Sequence, residues 1–151
     1  MIDNQIAQNS ISASLVPDQD RIAFFPNHFG PYLVEGEGLV FTWMRRLAPE
    51  YNGGYWNFFE LSNGGFYLAL KNDKKERFKM FSGYIESEVS ADAAGVVATL
   101  YAINYLLNTE HEKNLRPDQE KAIEALDDGY YKLRDFASEH PEATEIFALI
   151  D

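Results

Sequence analysis

Histidine is the side chain best suited to acid–base chemistry near neutral pH, and this chain has three: His28, His111 and His140. They lie far apart in the sequence, and none belongs to an HExxH or other paired-ligand spacing. His111-Glu112 lacks the second histidine that would complete such a motif. We therefore expect all three histidines to be structural residues in loops or caps.

Glycine and carboxylate patterns do not complete a cofactor or metal site either. Gly36-Glu37-Gly38 lacks the third glycine and the preceding strand of a dinucleotide-binding loop. The sequence contains neither a phosphate-binding GxxxxGK[ST] motif nor a GxSxG nucleophile elbow. Asp127-Asp128, or Glu35 with Glu37, could bind a divalent cation, but neither pair has the alternating ligands and glycine of a calcium loop. We predict a protein that is not an enzyme and has no catalytic residue, cofactor or metal.

An aromatic segment, YNGGYWNFFELSNGGFYLAL at residues 51–70, has the pattern of a β-hairpin. Two aromatic runs flank Asn63-Gly64, a pair that favours the tight turn between antiparallel strands. A two-residue turn there would place Leu61 opposite Phe66. Both faces of the hairpin would then be largely apolar, which predicts that other elements pack on each side of it.

Glu60 is the polar residue of this hairpin for which turn chemistry gives no reason. In the predicted register it lies opposite Tyr67, and a buried carboxylate there would need a partner. Arg45, Arg46 or the Tyr67 hydroxyl could supply one. A structural ion pair and a functional contact with another molecule both remain open for Glu60, whereas Asn63 is explained by the left-handed conformation of the turn.

The net charge of −11 argues against direct binding to a phosphate backbone. The imbalance is concentrated in residues 110–151, which carry 12 acids against 5 bases, compared with 12 against 8 in residues 1–109. This acidic part is either a solvated helical surface or a face that binds a basic partner. Mimicry of the phosphates of DNA is the most specific version of the second interpretation. Five bases at residues 71–79 form a hairpin tip or, less simply, a nucleic-acid contact.

Length and composition indicate one cytoplasmic domain. The chain has 151 residues, of which 46% are hydrophobic, and it has no cysteine. It therefore has no disulfide or thiolate site, and a reducing compartment is the simplest location. No apolar run is long enough to span a bilayer, so no membrane association is expected. We expect a flexible N-terminal arm over residues 1–14 and a single domain over residues 15–151.

Helical periodicity and proline positions predict several helices around a small sheet. Pro26 and Pro49 are expected to end the first two helices, and Ser90 is expected to cap the most apolar one. The predicted helices span about residues 18–25, 35–48, 91–107 and 117–138, with a short terminal helix after Pro141. The predicted fold class is α+β: a small antiparallel sheet, formed by a central hairpin at about 54–71 and a strand at about 77–84, is packed with several helices in one compact domain.

These segments resemble the ArdB/KlcA antirestriction family over most of the chain. The most specific likeness is Gly53-Gly54-Tyr55-Trp56, followed by the eight residues from Glu60 to Tyr67, ELSNGGFY. Further likenesses are the opening at residues 16–30, the segment VFTWMRRL at residues 40–47 and the apolar helix at residues 91–107. Phe59 stands where such proteins commonly have tyrosine, which weakens only an argument based on that hydroxyl.

The resemblance implies a protein of plasmids and other mobile elements that counters host type I restriction of incoming DNA, without catalysis or a cofactor. It implies action by protein–protein interaction, with the restriction complex or a host factor that controls it as partner; the oligomeric state is open. The alternatives are a DNA-binding or acidic DNA-mimic protein at the restriction complex, or a cryptic enzyme that uses Glu60. The candidate functional or motif residues are Tyr55, Trp56, Glu60, Asn63, Gly64, Gly65 and Tyr67.

Overall fold

Residues 10–151 are described by the structure, a computed structural model, and they form five strands and five α-helices. The strands are β1 (Ala13–Leu15), β2 (Trp56–Leu61), β3 (Phe66–Leu70), β4 (Arg77–Ser82) and β5 (Ile85–Ser90). The helices are α1 (Arg21–Phe29), α2 (Leu33–Leu47), α3 (Ala91–Glu110), α4 (Pro117–Ser138) and α5 (Ala143–Ile150). This mixture confirms the predicted α+β class. In the described part of the chain, no helix is both long and apolar enough to cross a membrane.

The three-stranded sheet has the order β1-β2-β3, and its first strand overlaps the predicted N-terminal arm. Residues 1–9 of that arm lie outside the described residues. Ala13 and Ser14, by contrast, form a regular antiparallel pairing with Leu61 and Glu60. Because this short segment has no strand periodicity of its own, its strand conformation depends on pairing with the open edge of β2.

The β2–β3 hairpin is one residue out of the predicted register. Glu60 lies opposite Phe66, and the Leu61 N–H donates to the Gly65 carbonyl at 2.9 Å. Gly64 has a φ of +93°, as expected in a three-residue loop that ends in a residue of left-handed conformation. The predicted pairing of Leu61 with Phe66 is therefore wrong, because Gly64, and not Asn63 as predicted, takes the left-handed conformation and closes a three-residue loop.

Helices cover both faces of this hairpin, as its two apolar faces predicted. On one face, the ring of Phe58 stacks on Phe24 of α1 with 4.7 Å between centroids. On the other face, Tyr67 stacks between Phe59 of β2 and Phe136 of α4, at 4.8 and 5.3 Å. The sheet is therefore the middle layer, and residues of opposite parity along β2 face different helices.

β4 pairs with β5 in a second, two-stranded sheet. The predicted strand at about 77–84 exists, but its assignment to the sheet of the hairpin is wrong. β5 escaped prediction because its sequence, IESEVS, is polar: Glu86 and Glu88 are exposed, and only Val89 is fully buried. Its strand conformation depends on its pairing with β4 and on contacts with α3 and α5.

α3 is the central buried helix that its apolar sequence predicted, and it lies against the free edge of β3. A Cβ on Gly95 would stand 2.2 Å from the Leu68 carbonyl oxygen. The Leu68 N–H donates to Thr99 Oγ1 at 3.2 Å, and the Thr99 hydroxyl donates to the Gly95 carbonyl at 2.8 Å. The helix thus takes the place of a fourth strand and satisfies a polar group of the sheet edge.

The first helix runs through Pro26, which was expected to end it. Phe24, Phe25 and Phe29 are buried on the side of α1 that faces the core, and Ile22, one turn before Pro26, is 89% exposed. The carbonyl that Pro26 cannot pair lies on this exposed turn, where water can bind it. Burial of three phenylalanines therefore outweighs the cost of the proline. Ser90, in contrast, caps α3 as predicted, and α4 spans the predicted residues.

The close contact at Gly95 predicts a large loss of stability from one methyl group. Gly95→Ala should lower the free energy of unfolding by about 3 kcal/mol, because a backbone oxygen blocks the new Cβ. Gly38→Ala is the matched control in α2, since nothing lies within 4 Å of its Cβ position; it should raise stability by roughly 0.5–1 kcal/mol. Urea unfolding of both variants measures the difference, and equal effects would contradict the contact.

Candidate functional site

Glu60 forms a hydrogen bond with a histidine that was expected in a loop or cap. His28 lies in the last turn of α1, and its Nε2 atom is 2.5 Å from Glu60 Oε1. The imidazole stacks on Phe66 with 4.0 Å between centroids and meets the edge of Phe24 at 4.8 Å. These rings hold the histidine in place, so that its side chain is only 15% exposed whereas that of Glu60 is 47% exposed.

The pair lies in a cleft of 390 Å³ between α1 and β1. Asp20 and Asn27 also line this cleft, together with apolar side chains of both elements. Glu60 therefore has a partner, but none of the predicted ones: Arg45 and Arg46 are at the end of α2, and the Tyr67 hydroxyl lies on the other face of the sheet. The one-residue shift of the hairpin and the continuation of α1 past Pro26 together explain the error.

On the opposite face of the sheet, Tyr67 begins a chain of hydrogen bonds. Its hydroxyl donates to Asp92 Oδ1 at 2.7 Å, and His140 Nε2 lies 2.8 Å from Asp92 Oδ2. His140 Nδ1 accepts the Glu142 N–H at 3.0 Å, so the ring proton is on Nε2 and is donated to Asp92. Burial, and then the Asp92 carboxylate, raise the pKa of Tyr67 well above its usual range.

Glu142 joins three elements beside this chain of hydrogen bonds. Its carboxylate accepts the backbone N–H and the hydroxyl of Ser90, the cap of α3, and lies 3.4 Å from Arg77 of β4. A cleft of 440 Å³ opens next to it, with Asp92 on its wall. The positive end of α3 is therefore already occupied by carboxylates of the protein itself.

The turn residues of the hairpin hold it against α4. The Asn63 side-chain amide donates to the Lys132 carbonyl at 2.9 Å, and Asn63 Oδ1 accepts the Gly65 N–H at 3.0 Å. A Cβ on Gly64 or Gly65 would approach the Lys132 side chain to 3.1 or 3.0 Å. Of the seven candidate residues, these three thus have a structural explanation within the chain.

Tyr55 and Trp56, at the start of β2, differ in exposure. Trp56 is buried, and its Nε1–H donates to the Tyr51 hydroxyl at 3.1 Å. The Tyr55 side chain is 53% exposed, and the Arg21 guanidinium lies over its ring at 4.7 Å from the centroid. Tyr55 and Glu60 are therefore the two candidates whose side chains reach the solvent to a large extent.

The geometry brings ionisable groups together in pairs, but it does not assemble a nucleophile with a base. Among the hydrogen bonds of residues 11–151, none joins a serine or threonine hydroxyl to a histidine, and within the described residues no group of three or more histidine and acidic side chains could hold a metal ion. Two contacts, His28 with Glu60 and His140 with Asp92, were not predicted, because the partners are far apart in the sequence and meet only in the folded chain. Phe24 lies one helical turn before His28 and therefore on the same side of the helix; this spacing was the sequence signal that His28 faces the core.

The basic cluster at residues 71–79 is divided between ion pairs and solvent. Three of its five bases lie beside an acid: Lys71 near Asp73 at 4.0 Å, Arg77 near Glu142 at 3.4 Å, and Lys79 opposite Glu88. Lys74 and Lys75 are exposed, and no ion pair to them is found among the described residues. Lys79 is exposed too and has no ion pair among the described residues, so three lysines are left, which is a small contact for a nucleic acid.

Comparisons with known proteins agree on one family. A family model described as "Antirestriction protein" matches residues 49–151. Two Escherichia coli proteins called "Antirestriction protein KlcA" are similar to this chain. One is 45% identical and covers 100% of both chains; the other is 43% identical and covers 93% of this chain and 95% of its own.

A solved structure is also similar, with a TM-score of 0.79 and 43% identity over 93% of this chain and 95% of that chain. It is described as showing that the KlcA and ArdB proteins have a novel fold and antirestriction activity against Type I DNA restriction systems in vivo but not in vitro. The fold and the paired ionisable groups describe an α+β domain with solvent-filled clefts. The chain belongs to the antirestriction protein family, which confirms the resemblance carried by the hairpin.

The raised pKa of Tyr67 predicts a specific loss of stability at alkaline pH. Because the folded state holds the hydroxyl neutral, its contribution is complete below the unfolded-state pKa of about 10 and falls as pH rises above it. Between about pH 9 and pH 11, Tyr67→Phe should therefore lose less unfolding free energy than the wild type.

Tyr84→Phe is the control for this measurement, because Tyr84 is fully exposed at 106%. This control should show the same alkaline loss as the wild type in urea unfolding. If Tyr67→Phe also matched the wild type over this range, the hydrogen bond to Asp92 would not hold the hydroxyl in its neutral form.

Proposed function

We propose that this chain counters type I restriction of incoming DNA inside the bacterial cell by binding a protein, and not by catalysis or by binding DNA. The observation that carries the proposal is its membership of the antirestriction family together with the activity of the related KlcA and ArdB proteins in vivo but not in vitro. An inhibitor that acts in cells but not on isolated components depends on something that the cell supplies. A host protein, or the restriction complex in its cellular state, meets that requirement.

Electrostatics favour a protein partner over DNA. A net charge of −11 repels a phosphate backbone, and two of the five bases of the basic cluster are in ion pairs with acids. A phosphate mimic is disfavoured as well, because acids of the C-terminal part are paired with its own bases: Asp128 with Lys132 at 2.7 Å, and Asp151 with Arg134 at 3.3 Å. Alternating signs do not reproduce the uniform negative charge of DNA.

Glu60 is the hairpin residue best placed to touch the partner. The turn residues, Trp56 and Tyr67 have their polar groups engaged inside the protein, whereas Glu60 is half exposed at the rim of a cleft. Its bond to His28 fixes the direction of the carboxylate, so that little rotamer freedom is lost on binding. Tyr55, held by Arg21, is the second exposed candidate.

Replacing this carboxylate by an amide should reduce function without unfolding the protein. Glu60→Gln should lower protection of unmodified phage DNA in cells with a type I system by about tenfold, the loss of about 1.4 kcal/mol of binding. Its free energy of unfolding should change by less than about 1 kcal/mol, because the pair is half exposed. Glu124→Gln, at an exposed position of α4, is the matched control.

If Glu60→Gln gives full protection at wild-type abundance, the Glu60 carboxylate is not part of the contact surface. Loss of protection by both variants would instead indicate a general requirement for surface charge. The comparison therefore tests the position of the charge separately from its amount.

A second prediction separates the protein partner from DNA. The wild-type chain should give no shift of duplex DNA in a gel at low salt, where electrostatic binding is strongest. A Lys74→Ala, Lys75→Ala double variant should keep full antirestriction in cells. A salt-sensitive shift that this double variant abolishes, together with loss of protection, would establish the DNA-binding alternative.

A further inference from the structure

A groove of 430 Å³ lies between α2 and α3. It shares no lining residue with the cleft at Glu60. Glu35 of α2 and Thr109 of α3 line one end, and Leu39 and Tyr105 line it further along, so the two helices run antiparallel on either side. Gly38 also lines the groove and leaves a gap in the wall that α2 provides. A groove bordered by two antiparallel helices has the shape that accepts a third helix.

Gly38 is a glycine that the chain itself does not explain. Glycine inside a helix costs about 0.5–1 kcal/mol relative to alanine, so a reason within the protein is expected. Gly36 has such a reason, because a Cβ there would stand 2.4 Å from the Phe29 ring, and Gly95 lies against Leu68. Nothing lies within 4 Å of the Cβ position of Gly38. Its missing side chain instead gives an external backbone room to approach.

Tyr105 lines the groove, and Trp43 and Arg46 of α2 adjoin Tyr105 without being lining residues of the groove themselves. Tyr105 is 45% exposed, and its ring lies 6.0 Å from that of Trp43 on the facing helix. The Arg46 guanidinium lies over Trp43 at 5.0 Å from the ring centroid. Tryptophan, tyrosine and arginine are enriched among the few residues that contribute most of the binding energy of protein interfaces.

The charge of the groove specifies the kind of helix that fits. Glu35 is exposed at its rim, and no cation lies within ion-pair distance of it among the described residues. Glu110 lies at the same end and is paired with Lys113 at 2.7 Å. The groove thus has an apolar middle and one unpaired acid, in a protein of net charge −11. A basic side chain of a partner would be attracted to this end.

We propose that this groove binds an amphipathic helix of the protein partner, with apolar side chains over Gly38 and a lysine or arginine directed to Glu35. The inference rests on the proposed function and names the surface and the partner chemistry for it. Close approach at Gly38 sets the depth of the helix, and Tyr105 borders it on the α3 side.

Filling the gap tests the proposal, because here stability and function should move in opposite directions. Gly38→Ala should keep or raise the thermal unfolding midpoint, yet it should reduce protection of unmodified phage DNA several-fold in cells with a type I system. Gly38→Leu, which fills the groove, should reduce protection by tenfold or more while the protein stays folded. Ala125→Leu adds a leucine to an exposed position of α4 and should protect fully.

The position of the partner is tested by a photo-crosslink in living cells. Tyr105 is replaced by p-benzoylphenylalanine, and the peptide attached to it is sequenced. The expected peptide comes from another protein and has an amphipathic helical pattern with lysine or arginine at one end; Gly38→Leu should abolish the crosslink. A crosslink to a second copy of this chain, or to nucleic acid, would overturn the proposal.

The outcomes separate this inference from the proposed function. If the wild type protects and both Gly38 variants protect equally well, the groove is not the contact surface, and the proposed function stands. If the wild type gives no protection, the proposed function fails and the inference falls with it.

Discussion

The contact between α3 and the edge of β3 is the constraint on which the rest of the structure depends. A hairpin with two apolar faces and an open edge would attract further strands. Gly95 lets the helix backbone reach the Leu68 carbonyl, and Thr99 accepts the Leu68 N–H, so the edge is closed without another strand. Once α3 is fixed there, its remaining sides carry α2, α4, α5 and the second sheet.

This arrangement also explains why the ionisable groups come in separate sets. Alternation along the strands sends Glu60 to the face of α1 and Tyr67 to the face of α3 and α4. Each face then supplies a histidine: His28 for the Glu60 carboxylate, and His140 for Asp92, which accepts the hydrogen bond of the Tyr67 hydroxyl. The sheet separates two polar sites that lie only a few residues apart in the sequence.

The proposed binding of a protein partner requires side chains that reach the surface, and the contacts inside the chain show which residues already have a structural role. Most polar groups of the hairpin motif are engaged within the chain, which makes the motif chiefly a determinant of the fold. The half-exposed Glu60, the half-exposed Tyr105 and the unexplained Gly38 are the features that internal packing accounts for least. The two proposals above place the contacts with a partner at these features, because local rules of folding leave them unexplained.

The sequence by itself determined the family, the α+β class, the cap at Ser90 and the span of α4. These depend on short sequence motifs, local periodicity and capping residues. It also determined that both faces of the hairpin are covered. Only the tertiary structure decided the register of the hairpin, the second sheet with β5, the helix through Pro26 and the partner of Glu60. Each of these depends on contacts between residues distant in sequence: burial of Phe29 outweighs a local stop signal, and His28 meets Glu60 only after α1 packs on the sheet.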